Sequence, residues 1–406
     1  MKFTRTLTLA ATAALALGAN AANAQYSDGT IKIGVLTDMS SLYTDLSGAG
    51  SVLAARLAVE DFGAAAKNMK VEIINADHQN KADVGSAVAR QWYDVDKVDV
   101  IVDTPNSGVA LAVNNVTKEK NKVFLVSGAA ASDLTGPQCS PNTVHWTYDT
   151  WALANGTGTA IVKTGGDSWF FLTADYAFGH ALERDTEAVV AKNGGKTLGK
   201  VRHPLNNADF SSFLLQAQAS KAKIIGLANA GGDTTNTIKQ AAEFGIVRGG
   251  QSLAGLLVFL TDVHGLGLQT AQGLIMTEAW YWDQNDNNRA FAKRFSTANR
   301  GIHPTMVHAG VYSAVTHYLK ALEATKNDTD GAKVVAQMKA TPTDDNLFGK
   351  GTIRQDGRKI HDMYLFEVKK PSESKAPWDY YKQRAVIPAA QAFRPLGEGN
   401  CPLVKG

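Results

Sequence analysis

Residues 123–136 read VFLVSGAAASDLTG. A short apolar run gives way at once to small residues and two hydroxyls, Ser127 and Ser132. The run suits a fully buried strand, and the small residues suit a loop at its carboxyl end. In an open α/β sheet, ligands sit beyond the carboxyl ends of the strands. Small side chains there let a ligand approach the backbone, and free N–H groups beside hydroxyls form a cradle for an anion such as a carboxylate. Taken alone, the segment reads more readily as a strand and an ordinary flexible loop than as a cradle, so its neighbours must decide.

On the amino-terminal side, strands are predicted at 31–37, 71–77 and 98–102, with helices at 50–62, 83–94 and 108–119. Together with 123–126 they make four parallel strands joined by crossover helices, one doubly wound lobe. The pattern pauses at 139–148 and then starts again. A helix at 151–163 leads to strands at 169–173, 196–201, 223–227 and 256–259, with helices at 178–192, 209–219 and 234–244. A strand at 273–279 is followed by helices at 289–299 and 305–324. Residues 351–354 and 363–368, around Gln355-Asp356-Gly357, suggest an antiparallel hairpin. The tail from Pro371 reads as a surface wrap.

Two such series imply an α/β protein of two doubly wound parallel-sheet lobes sharing a cleft. Breaks near Tyr148, Trp280 and Leu347 are then three hinge crossings, which permit bending while restraining sliding. The expected division is 25–147 with 280–347 for the first lobe and 148–279 with 348–385 for the second. A tail, 386–406, is pinned to the first lobe.

Residues 1–24 read as a signal peptide: Lys2 and Arg5, an apolar stretch, and Ala22-Asn23-Ala24 before a cleavage point at Gln25. The apolar run is short for a membrane span, and no cysteine follows the cleavage point to carry a lipid, so an exported chain that is not membrane-inserted is expected. The formal charge of +3 loses two cations with the leader, and no basic run stands out, which argues against nucleic acid as a partner. The two cysteines, Cys139 and Cys401, would meet an oxidising compartment and are expected to bridge, tying the tail to the loop after Ser132. Free thiols or a bridge between chains are the alternatives. Neither cysteine has a His or Cys at ligand spacing, so no metal is expected.

The residues just past the strands form a coherent set: Asp38 to Tyr43, Thr104 to Ser107, Ser127 to Ser132, Asp175-Tyr176, Asn229 to Thr234, and Thr261-Asp262-Val263-His264. Helix capping accounts for many such polar residues one by one. The aromatics beside them, Tyr43, Trp146, Tyr148, Tyr176, Trp280 and Trp282, read either as core or as walls of an apolar pocket. Asp262 and His264 are the ionisable pair, suited to an ammonium and to a phenol or carboxylate, or else to a cap and a surface position. There is no G-x-S-x-G elbow, H-E-x-x-H or phosphate-binding lysine loop, and Leu53 stands where a dinucleotide fingerprint needs its third small residue. The pattern favours binding over catalysis, with no cofactor.

IKIGVLTDMS at 31–40, SGAAASDLT at 127–135, FLTADYAFGHAL at 171–182 and LLVFLTD at 256–262 resemble the periplasmic ligand-binding proteins of the branched-chain amino acid type, which serve ABC importers. The resemblance runs from about Ile31 to Val368. It implies a type I periplasmic binding fold, a solute closed between lobes, and delivery by a monomer to an inner-membrane ABC permease. It also implies ligand contacts from Asn106 or Ser107, Ala129, Ser132 and Tyr176, to which the reading of the strand ends adds Tyr43, Asp262, His264 and Trp280. Where branched-chain binders place a glutamate in a glycine-flanked turn, this chain has Thr261 to His264, and a second tyrosine expected near Asn229 is missing. The ligand implied is a small carboxylate-bearing solute, an amino acid or an aromatic acid. The alternatives are a ligand-sensing protein acting on a receptor or regulator, and a binder of short amides or urea.

Overall fold

The computed structural model describes residues 26–405; the leader reading falls outside them. The first sheet has strands β1 (Ile31–Thr37), β2 (Val71–Asp77), β3 (Val100–Asp103), β4 (Val123–Val126) and β5 (Thr143–His145), all parallel, in the order β2-β1-β3-β4-β5. Strands β1, β3 and β4 are buried on both faces, as their apolar runs require, whereas the edge strand β2 is only half-buried. Ile33, Val35, Val100, Val102 and Leu125 face one core with helices Gly48–Phe62 and Met306–Thr325. Leu36, Ile101, Phe124 and Val126 face the other, with helices Ala82–Asp94 and Ser107–Glu119. The period-two alternation of a strand thus serves two layers of helix.

The second sheet has β6 (Ser168–Ala174), β7 (Lys196–His203), β8 (Ile224–Ala228) and β9 (Ser252–Gly255), again all parallel, in the order β7-β6-β8-β9. Strand β10 (Ile275–Glu278) then sends the chain back to the first lobe. There β11 (Thr343–Asp345), β12 (Gly349–Ile353) and β13 (Lys359–Ile360) form a small antiparallel sheet. Strands β14 (Met363–Val368) and β15 (Tyr381–Ile387) return to pair with β10 in the order β10-β14-β15.

Four readings of the sequence need correction. The pause at 139–148 contains β5, whose three residues are too few to show an alternation. The run 256–259 is not a strand: the strand is the small-residue segment just before it, and the apolar residues are a buried loop. The hairpin around Gln355-Asp356-Gly357 closes on Lys359–Ile360 instead of 363–368, so the return to the second lobe comes near Met363 and not near Leu347. The tail contributes an edge strand, β15, where a surface wrap was expected. Cys139 and Cys401 are bridged, with Cα atoms 5.7 Å apart, and the tail is tied to the loop after β4.

The chain passes between lobes near 146–149, 279–282 and 361–363. The fully buried Arg358 clasps the first passage, donating to the carbonyls of Trp146 (2.6 Å) and Tyr148 (2.9 Å), with Asp149 at 3.6 Å. His361 donates to the Thr147 carbonyl at 2.9 Å. First and third passages are therefore held together by side-chain donors on backbone carbonyls.

Candidate functional site

The carboxyl ends of both sheets meet across a narrow cavity. From the first lobe come Tyr43 and Leu46 after β1, Pro105 after β3, Gly128 and Ala130 after β4, and Tyr148 at the first passage. From the second come Tyr176 and Phe178 after β6, Ala230 after β8, and Leu257 and Phe259 after β9. The free space is about 230 Å³, yet the centre of a water-sized sphere fits in only about 10 Å³ of it. The space is therefore tight. Five of its walls are aromatic, and Tyr148 meets Phe259 edge-on at 6.2 Å. Among the described residues, no charged side chain lines it.

The two lobes touch at this cavity. The hydroxyls of Tyr43 and Tyr176 share a hydrogen bond of 2.6 Å. Beside them, Gly231 has φ of +57°, and a Cβ there would stand 2.6 Å from the Leu42 carbonyl oxygen of the opposite lobe. Only glycine allows both this backbone conformation and this approach. Tyr43 is placed by Asp38, which accepts from the backbone N–H groups of Ser40, Ser41 and Tyr43 and from the side chains of Ser41 and Asn80. Burial pushes the Tyr43 and Tyr176 phenols up, so both stay protonated and can donate.

On the β4 side, the loop is built from backbone. The Ser107 hydroxyl accepts from the N–H groups of Ala130 and Ala131, each at 3.2 Å, and the Tyr148 hydroxyl donates to the Gly128 carbonyl at 2.5 Å. His145 donates to the Ala129 carbonyl at 2.8 Å. Burial holds this imidazole well below its usual range, so it is neutral. Ala129 lies buried between two lining residues.

The other residues singled out from the sequence fall in different places. Asn106 caps helix Ser107–Glu119, accepting from Val109 N–H. Ser132 lies outside the cavity: its hydroxyl donates to Asp185 of the second lobe at 2.7 Å and accepts from Arg184 at 2.9 Å. Asp262 accepts from Phe259 N–H at 2.9 Å and so caps its own helix, Leu260–Leu266. Burial raises its carboxyl to about 7. His264 is exposed, stacks on Trp378 at 3.9 Å and meets the Tyr380 hydroxyl at 2.8 Å. Trp280 is buried in the core, edge-on to Phe291. Trp146 is likewise core, donating to Ser313. Tyr43, Tyr148 and Tyr176 are the aromatics brought together at the cavity.

The sequence reading missed Leu257 and Phe259, which it assigned to a strand. Their signal was present: five apolar residues follow Gly255 at a strand's carboxyl end, where a solvated loop would be polar. Pro105 and Ala230 fall within strand-end segments already singled out, whereas Leu46 and Phe178 carry no local signal, since nothing in their neighbours distinguishes a lining residue from a core residue.

Residues 30–375 match the periplasmic binding protein family, and the chain belongs to it. A crystal structure of a periplasmic binding protein from Burkholderia mallei is 55% identical, with a TM-score of 0.90, covering 93% of this chain and all of that one. A branched chain amino acid ABC transporter periplasmic ligand-binding protein from Burkholderia xenovorans LB400 is 41% identical, with a TM-score of 0.82, covering 92% of this chain and all of that one. A solute binding protein of an ABC transporter from R. palustris, in complex with benzoate, is 20% identical with a TM-score of 0.78, covering 89% of this chain and 97% of that one; it shares the fold. No curated protein matches the sequence. Among the described residues, no helix is long and apolar enough to cross a membrane.

Proposed function

We propose that this periplasmic binding protein is exported, with cleavage after Ala24, and serves as the solute-capturing component of an ABC uptake system. Its solute is a flat aromatic carboxylate, closed between the lobes and passed unchanged to a membrane permease. The observation that carries the ligand class is the lining: five aromatic side chains around a tight space, with no acidic group among the described residues to hold an ammonium. Asp262, the residue best placed in sequence for that role, is occupied as a helix cap.

In this reading the β4 loop offers the Ala129 backbone N–H to the carboxylate, since those of Gly128 and Ala130 are held by the Asp103 carbonyl and the Ser107 hydroxyl; the rings of Tyr148, Phe178 and Phe259 take the aromatic body, and the Tyr43–Tyr176 pair meets a ring substituent. Micromolar affinity requires about 8 kcal/mol. Burial of one ring and a few hydrogen bonds to a charged group are of that order in sum. The fold is known to house such a ligand in the R. palustris protein with benzoate. A second reading, capture of a branched-chain amino acid, is favoured by the description of the 41% identical relative.

A thermal-shift screen of benzoate, 4-hydroxybenzoate, leucine, isoleucine and valine separates the two, because a bound ligand raises apparent stability. The aromatic acids are expected to raise Tm and the amino acids to leave it unchanged. The reverse pattern would replace the first reading by the second.

A further inference from the structure

Directly behind the β4 loop lies a carboxyl that the fold does not use. Asp103 ends β3 and is fully buried, and neither of its oxygens has a hydrogen-bond partner within 3.5 Å; the hydroxyls of Thr37 and Ser51 reach toward it without closing to that distance. A Cβ on Gly128, which lines the cavity, would stand 2.9 Å from its Oδ1 and 2.7 Å from Cα of Pro105. Asp103 is therefore one residue's thickness from the proposed carboxylate cradle. The backbone is also unusual here: Asp103 and Thr104 have φ of +80° and +59°. Non-glycine residues in that region cost energy, and two in succession beside a cleft mark a turn whose shape is constrained by more than folding. Thr104 is held in it by two bonds to the Leu36 carbonyl, from its N–H (2.9 Å) and its hydroxyl (3.1 Å).

The groups facing Asp103 decide its charge. The hydroxyls of Thr37 and Ser51 lie alongside, the Tyr148 phenol approaches from the first passage, and the nearest charged group is another acid, Asp38. No cation among the described residues faces it. Burial outweighs the Thr37 and Ser51 hydroxyls, which favour the charged form, and with Asp38 adding to it raises the carboxyl to about 7.

Resting on the reading of the solute as a carboxylate, we propose that Asp103 is a specificity determinant that couples solute capture to a proton: an anion in the cradle binds only with Asp103 neutral. Two negative charges separated by one glycine in a buried site repel strongly, since the low-dielectric interior screens them poorly. The neutral carboxylic acid removes that repulsion. When the solute binds above the titration range of the free protein, one proton must enter with it. By linkage the anion's Kd is flat below about pH 7 and rises by up to about tenfold per pH unit above it. A neutral solute of the same shape shows no such slope. The site would thus take an anionic acid in preference under mildly acidic conditions and lose the preference in alkali.

The test is titration calorimetry on the whole mature chain with 4-hydroxybenzoate and 4-hydroxybenzamide, from pH 6 to 9. At pH 8, two buffers of different ionisation enthalpy are used. The expected result is uptake of about one proton per acid bound at pH 8, none per amide, and a profile levelled in Asp103→Asn. The wild-type proton count stands even where that variant folds poorly. Binding of the acid with no proton uptake and no slope in Kd overturns the coupling and leaves the functional proposal intact. Binding of the amide alone overturns the carboxylate reading and the coupling with it, as does failure of both compounds to bind.

Discussion

Segments 123–133 and 256–262 look alike in sequence, each an apolar run followed by at least one hydroxyl and an acid, yet, standing at the ends of β4 and β9, they meet the cleft in opposite ways. After β4 the chain presents backbone: Gly128 and Ala130 line the cavity, and Ser107 ties down the N–H groups of Ala130 and Ala131 from behind. After β9 it presents side chains: Leu257 and Phe259 form a wall, while Asp262 folds back on its own helix and His264 points outward to Trp378. One side is suited to orient a polar head and the other to cover an apolar body. Polar letters at a strand end therefore mark a site only when the backbone around them has no other use for them.

The sharpest way to break this contrast is Phe259→Ala. Removing a buried ring costs about 3–5 kcal/mol, and here part of that loss falls on the ligand. Kd for an aromatic acid is expected to rise by about 100-fold or more in calorimetry, with a lowered Tm. A change in Tm alone would make Phe259 core and not wall. Next is Gly231→Ala, which sets a methyl against the Leu42 carbonyl of the facing lobe. Kd should rise by about tenfold or more, and small-angle scattering should no longer show full compaction on adding ligand. Unimpaired compaction would mean that the lobes close elsewhere.

A smaller effect is expected from Tyr176→Phe, which removes one hydroxyl of the cross-lobe pair. The loss is about 1 kcal/mol, or about fivefold in Kd, and an unaltered Kd would take that pair out of closure and binding alike. The smallest effect on affinity belongs to Asp262→Asn. Asparagine also caps helices, so Kd for an aromatic acid should stay within about twofold; a large loss would restore Asp262 as a ligand contact. Its signature lies in stability. The folded-state value is raised to about 7, so the contribution of Asp262 to stability is whole below its unfolded value near 4 and falls as pH rises toward 7. Thermal melts should show the variant gaining on the wild type between pH 4 and 7 and holding a constant lead above. Parallel curves would place the carboxyl in contact with water.

The alternation of strands and helices was legible because each element carries its own period. Thus 31–37, 71–77 and 123–126 coincide with β1, β2 and β4, and the crossover helices fall where the apolar faces recur. The bridge between Cys139 and Cys401 was legible by count. Strands β5 and β15 were not, because a three-residue strand has no period to show and an edge strand with mostly exposed side chains carries little apolar signal. At the site, Tyr43 and Tyr176 were readable as aromatics beside strand ends. Ser132 and Asp262 were also readable as polar strand-end residues, but their partners, Asp185 and Phe259 N–H, depend on how the chain packs locally and across lobes.

By itself, then, the sequence determined the two lobes, the order of most of their strands along the chain and the places where a cleft would open, since these follow from local hydrophobic patterning and chain connectivity. Only the tertiary structure decided which of the polar residues at those places face the cleft and which are consumed by caps and lobe contacts. It also placed Asp103 behind Gly128 without a partner. That choice is made by distances between segments far apart in the chain, which no local pattern encodes.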